Sequence, residues 1–183
     1  MMEVDKYFEL KETIKNIGFD KELEFIENCL AHPCNDHNEF ATEYIWVVLN
    51  AGMKYQVAVR IFSKIVEGLR HKIPVEYIFN HKSKVSGINH VYERRETIFA
   101  EYKSSDDKIS YLESLPWIGS ITKYHLARNL GLNVCKPDRH LVRIANKYKT
   151  EPHILCDELS SSSGDLVGVV DFVLWSCGNQ RLL

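Results

Sequence analysis

Asp138 follows a Lys-Pro dipeptide and opens a basic, partly apolar run, KPDRHLVRIA. A lone carboxylate delivered in this way can stabilise a positive charge developing on a sugar, as carboxylates do when glycosidic bonds break. Nineteen residues earlier lies Gly119, within LPWIGSITKYHLARN. That segment reads as the end of one helix, a tight apolar hairpin and the start of another. A hairpin that aims backbone N–H groups outward, ahead of a helix N-terminus, is suited to gripping a phosphate. Together the two features suit a protein that holds DNA and releases a base from it. Aspartate is also a favoured helix N-cap, so Asp138 as the plain cap of a helix over Arg139–Lys147 is the simpler reading. The two roles are compatible, because capping fixes the direction of the carboxylate.

The elements around these residues follow from local chemistry. Pro116 ends the preceding helix, since it restricts Leu115 and has no N–H to donate. Gly119 permits the positive φ or close backbone approach of a tight turn. Ser120 or Thr122 can cap the next helix, Leu115 and Ile118 point inward, and Lys123 and Arg128 fall on the expected DNA side. Gly131 ends that helix, and Lys136-Pro137 forces an extended approach to Asp138. His140 would lie about 100° around the helix from Asp138, placing it for a phosphate contact rather than acid–base work. Charge is distributed to match. Residues 1–50 carry eleven acids and four lysines, a net −7, whereas residues 120–150 carry seven Lys/Arg and only Asp138 as an acid, a net +6. A basic patch suits phosphate contacts, although a solvated helical face reads the same way.

The rest of the 183 residues is helical in pattern. Apolar residues recur at three- and four-residue spacing over Tyr7–Ile17, Leu23–Leu30, Phe40–Leu49 and Val57–Leu69. Val75–Phe79 forms a short turn opened by Pro74. Val91–Tyr102, Ile109–Leu115 and Gly164–Cys177 complete the set, the last stopped by Gly178. Asn80–Asn89 is polar with a glycine and reads as a surface loop; Ser160–Ser163 reads as a flexible connection. No strand pattern competes, so the fold class is all-α. No apolar run approaches the roughly 20 residues that cross a bilayer, and the acidic start, MMEVDKYFELKE, is unlike a secretory signal. Five cysteines do not form a paired framework, which points to a reducing cytoplasm.

Leu115–Ala145 resembles the core motif of the helix-hairpin-helix (HhH-GPD) DNA glycosylase superfamily, endonuclease III-like, on the strength of LPWIG and KPDRHLVRIA. The family pattern is Leu-Pro-Gly-x-Gly, a helix, then a catalytic aspartate about twenty residues on. The resemblance implies a two-lobed helical bundle with a DNA cleft between lobes: residues 1–36 plus 139–183 in one, and 37–138, containing the helix-hairpin-helix of 105–131, in the other. It implies Asp138 as the catalytic carboxylate. DNA contacts would come from Trp117, Ile118, Gly119, Ser120, Thr122, Lys123, Lys136, Arg139 and His140. The turn Asn50–Gln56 would supply a wedge from Met53, Tyr55 or Gln56, with pocket walls from Tyr44, Trp46 and Trp175. Two departures stand out. Trp117 replaces the first hairpin glycine, and Ile121 stands where lyase-active members carry a Schiff-base lysine, which implies a monofunctional enzyme. No cofactor is required, and no four-cysteine iron–sulfur loop is present; a monovalent cation at the hairpin is the one candidate ion. The expected partner is double-stranded DNA with a damaged or modified base. The expected state is a cytoplasmic, nucleoid-associated monomer, in base excision repair or in defence against phage.

Cys29, His32, Cys34 and His37 have zinc-binding chemistry, but their spacing fits no ordinary pairing, and no metal site is assigned. Asp171, on an otherwise apolar helix, should be paired or partly exposed. A non-catalytic helix-hairpin-helix DNA-binding module and an unrelated all-α interaction protein remain as competing readings. The identity of any excised base stays open.

Overall fold

The computed structural model describes residues 2–183. Among these, eleven α-helices and no strand are present: α1 (Val4–Ile14), α2 (Asp20–Ala31), α3 (His37–Asn50), α4 (Tyr55–Arg70), α5 (Lys82–Glu93), α6 (Arg95–Ser104), α7 (Lys108–Glu113), α8 (Thr122–Asn129), α9 (Arg139–Lys147), α10 (Pro152–Ser163) and α11 (Val167–Asn179). A π-helical turn, Lys15–Phe19, joins α1 to α2, and a 3₁₀ turn spans Val75–Tyr77. The chain is all-α, as its periodicity indicates. No helix among the described residues is long and apolar enough to cross a membrane.

Two compact units divide the chain: Met1–Pro33 with Ala127–Leu183, and Cys34–Leu126. The second boundary falls within α8, not at residue 139 as the motif pattern suggested. Its physical reason is the chain after Ala127: Cys135 belongs to the core of the discontinuous unit, and Arg128 and the Lys136 N–H both bind Asp171 there. In that unit α11 is the central element, packed by α1, α2, α9 and α10 and buried from Gly168 to Leu174. In the continuous unit the central element is α3, which packs on α4, α5 and α6; seven of its fourteen residues are buried, as a helix apolar around most of its surface requires.

Two segments read as loops are helical. Lys82–Glu93 forms α5, where Val85, Ile88 and Val91 bury one face at three-residue spacing. The His81 ring nitrogen accepts the Lys84 N–H at 3.3 Å and caps the helix. The serine run lies in α10, where Ser161, Ser162 and Ser163 return their hydroxyls to carbonyls four residues back at 2.7–2.8 Å. Gly164, at φ 80°, ends α10 rather than opening the last helix.

Candidate functional site

The hairpin between α7 and α8 is built by the continuous unit. Leu115 and Ile118 are buried, as their apolar character demands. Tyr44, fully buried in α3, donates its hydroxyl to the Pro116 carbonyl at 2.7 Å; burial pushes its pKa up. The left-handed position is Trp117, at φ 64°, and not Gly119. A side chain there costs about 1–2 kcal/mol, and the surroundings hold it. The indole N–H donates to the Ser83 hydroxyl at 3.1 Å, the His81 ring lies edge-on at 5.3 Å, and the Lys84 ammonium sits 5.5 Å from the ring centre. Gly87 makes the packing possible: a Cβ there would lie 3.2 Å from both Pro116 and Trp117.

Around Gly119 the space is open, a Cβ meeting only the Thr122 hydroxyl at 4.0 Å. That hydroxyl accepts the Gly119 N–H at 2.7 Å, so Thr122 braces the turn internally; Ser120 and Ile121, both exposed, lead into α8. Lys123 pairs with Glu113. Arg128, expected on the DNA side, is instead buried, 7% exposed. Its guanidinium binds Asp171, because a buried cation requires a counter-charge.

The discontinuous unit holds Asp138. It is the N-cap of α9, in extended backbone (φ −81°, ψ 175°), and its Oδ1 accepts the N–H groups of His140 at 2.8 Å and Leu141 at 3.1 Å. Among the described residues of the unit, Oδ2 accepts no hydrogen bond. The carboxylate is therefore oriented by one oxygen and available through the other. Lys136 is half-buried; burial lowers its pKa, while the charges of Asp138 and Asp171 act in the opposite sense. Arg139 is exposed, and the His140 Nδ1 is buried without a hydrogen-bond partner, its ring packed on Gly178. Arg139, His140, Arg143, Gly178, Asn179 and Arg181 line a recess of about 500 Å³. No side-chain carboxylate among the described residues of the unit pairs with these arginines. The recess is a basic surface beginning one residue after Asp138.

No family profile and no curated protein matches the chain. Solved structures do. The 8-oxoguanine glycosylase/lyase of Methanocaldococcus jannaschii, in complex with a 15mer DNA containing 8-oxoguanine, superposes with a TM-score of 0.69 at 20% identity over 100% of both chains. The 8-oxoguanine DNA glycosylase of Thermotoga maritima gives 0.66 at 15% identity, over 94% of this chain and 93% of that one. A second structure of the M. jannaschii enzyme gives 0.65 at 19% identity, over 94% and 91%. This chain has the fold of the 8-oxoguanine DNA glycosylases.

Within that glycosylase fold the remaining residues named from sequence divide into exposed and buried sets. Tyr55, 53% exposed, and Gln56 stand at the start of α4, with Met53 half-buried in the preceding turn. Trp46 is half-buried behind them, edge-on to Tyr55 at 5.8 Å and to Phe62 at 5.4 Å. Trp175, in the other unit, is half-buried and stacked on Phe172 at 6.0 Å. Tyr44 is not a pocket wall: it has no exposed surface and its hydroxyl supports the hairpin. Among the described residues no cluster of His, Cys, Asp or Glu is arranged to hold a metal, and the five cysteines are free thiols.

One supporting residue escaped the sequence reading. Lys84, 4% exposed, donates its ammonium to the Ala51 carbonyl at 2.7 Å, and burial lowers its pKa. It joins the turn after α3 to the Trp117 ring. The signal that could have found it is the Val85, Ile88, Val91 spacing, which Gly87 and the surrounding polar residues obscure.

Proposed function

We propose that this protein is a DNA glycosylase that turns a damaged or modified base out of the duplex and hydrolyses its N-glycosidic bond. The observation that carries the reading is Asp138: a carboxylate fixed by helix capping with one oxygen uncommitted, on the fold of enzymes that excise 8-oxoguanine. A base inside a duplex is inaccessible, so it must be extruded. Bond cleavage then leaves an oxocarbenium-like sugar. Ionised Asp138 stabilises that cation through Oδ2 and orients a water for attack at the anomeric carbon, releasing the base and leaving an abasic site. A preorganised electrostatic group of this kind contributes roughly 3–4 kcal/mol.

DNA is held by backbone donors at the hairpin and by the cations after Asp138. Ser120, Lys136, Arg139 and His140 are the contacts supported best, since Thr122, Lys123 and Arg128 are engaged internally and the Gly119 N–H is taken by Thr122. Tyr55, Gln56 and Met53 form the wedge, with Trp46 behind them in the same unit as a base-facing aromatic. Ile121 offers no amine, so the reaction is hydrolytic and stops before strand cleavage. The protein acts as a monomer on double-stranded DNA, without a required cofactor.

The test is a single-turnover assay on duplexes carrying 8-oxoguanine, alkylated purines, deaminated or mismatched pyrimidines and bulky modified pyrimidines. Abasic sites revealed by alkali, with no borohydride-trapped covalent complex, are expected for at least one of them. Salt-dependent DNA binding without excision across the panel would replace this reading with a non-catalytic module.

A further inference from the structure

Asp171 lies mid-way along α11, 1% exposed, in a helix apolar but for Ser176 and the terminal Asn179. Removing an ionised carboxylate from water is costly unless it is both paired and hydrogen-bonded. One of its oxygens takes the Arg128 guanidinium; the other accepts the Lys136 N–H at 2.9 Å. The Lys136 carbonyl in turn accepts the Asp138 N–H at 2.7 Å. One helical turn earlier in α11, the Gly168 N–H donates to the Asn133 side chain at 3.1 Å. The segment leading to Asp138 is thus fastened to α11 at two points.

As a stabilising bridge the Arg128–Asp171 pair is poorly made. The Arg128 Nε is buried with no partner among the described residues, and buried pairs left incompletely satisfied stabilise little compared with apolar replacements. Its distinctive product is the charge-assisted bond to a main-chain N–H two residues before Asp138.

We propose that Asp171 is a positioning residue for Asp138, holding the turn at Lys136 so that the free carboxylate oxygen keeps its direction. Burial raises the Asp171 pKa, and the Arg128 charge and the Lys136 N–H act against that rise. This rests on the glycosylase reading above and adds to it a residue that touches neither DNA nor the reacting atoms.

Two double variants separate positioning from bulk stability. Arg128→Met/Asp171→Asn removes both charges but retains an oxygen for the Lys136 N–H. Arg128→Met/Asp171→Leu removes both charges and the acceptor. Neither leaves an uncompensated buried charge, the usual cause of unfolding at such sites. The readouts are the single-turnover rate at saturating DNA, the DNA dissociation constant, and hydrogen exchange at the Lys136 amide. The Asn variant is expected to keep the parental rate within about threefold. The Leu variant should lose roughly 10–100-fold in rate, as small misplacements of a reacting group do, with DNA affinity unchanged and the Lys136 amide exchanging at least about tenfold faster. Equal rates in the two variants, or an unchanged Lys136 amide in the Leu variant, would overturn the proposal. If the parent protein excises no base, the glycosylase reading fails, while the amide exchange still decides whether Asp171 holds the turn.

Discussion

Two aspartates cap helices in the same way in the two units. Asp36, at the start of α3, accepts the N–H groups of Asn38 at 2.8 Å and Glu39 at 2.9 Å through one oxygen; Asp138 does the same to the second and third residues after it. Their surroundings differ. Asp36 is exposed, and its backbone partners, Glu39 first, hold its carboxyl below the ordinary range. Asp138 is half-buried, preceded by a turn tied to Asp171 and followed by the basic recess of Arg139, His140, Arg143 and Arg181. The cap made through one oxygen is common property; the pinned approach and the local charge are not. A capping aspartate becomes a candidate for chemistry through what surrounds it.

The means of support also differ between the units. The hairpin tolerates a left-handed tryptophan because side chains from α3 and α5 brace it, whereas the approach to Asp138 is unstrained and anchored through main-chain groups. Gly131→Ala should have the largest effect on stability. At φ 89° a Cβ would lie 2.5 Å from the Pro33 Cα and 2.7 Å from the Cys29 carbonyl oxygen, rigid atoms that cannot step aside. A loss of about 3 kcal/mol or more is expected, seen as a Tm lower by roughly 6–12 °C; an unchanged Tm would show that the crossover after α8 is loose.

Tyr44→Phe comes next. Leaving the Pro116 carbonyl without its buried donor should cost about 1–2 kcal/mol, with faster amide exchange confined to the hairpin and α5. Trp117→Gly should be nearly neutral in Tm, within about 1 kcal/mol, because relief of the positive φ offsets lost indole packing. A larger loss would mean that the α5 contacts dominate the hairpin. The smallest effect is on pH dependence. A carboxylate with a depressed pKa contributes stability that is present above the ordinary value and lost as pH falls through the depressed one. Thermal unfolding of Asp36→Asn at pH 7 and pH 3 should therefore show a shallower acid dependence than the parent, with similar Tm at pH 7.

Much of the helical pattern was legible because apolar spacing records which faces are buried, and LPWIG with KPDRH carried the hairpin and the cap at fixed separation. What the sequence hid was set by tertiary partners. Lys82–Asn89 looks polar because Lys84 is buried on a carbonyl and an aromatic face, and Gly87 is there for the approach of Trp117. The α10 serines read as a linker because Ser161, Ser162 and Ser163 turn their hydroxyls back along the helix. Arg128 reads as a surface cation until Asp171, forty-three residues later, is seen to claim it. Gly119 suits the positive φ or the close backbone approach of the turn, and the left-handed residue is Trp117, a choice that depends on the brace and not on the residue's own preference.

The most direct test pairs the two caps. Asp36→Asn and Asp138→Asn make the same isosteric change in the same local geometry, each measured for single-turnover excision and for DNA affinity on a duplex the parent cleaves. Asp138→Asn should lose about a hundredfold or more in rate while binding DNA as the parent does, and Asp36→Asn should excise at the parental rate. Equal rates in both variants would contradict the assignment of the chemistry to Asp138.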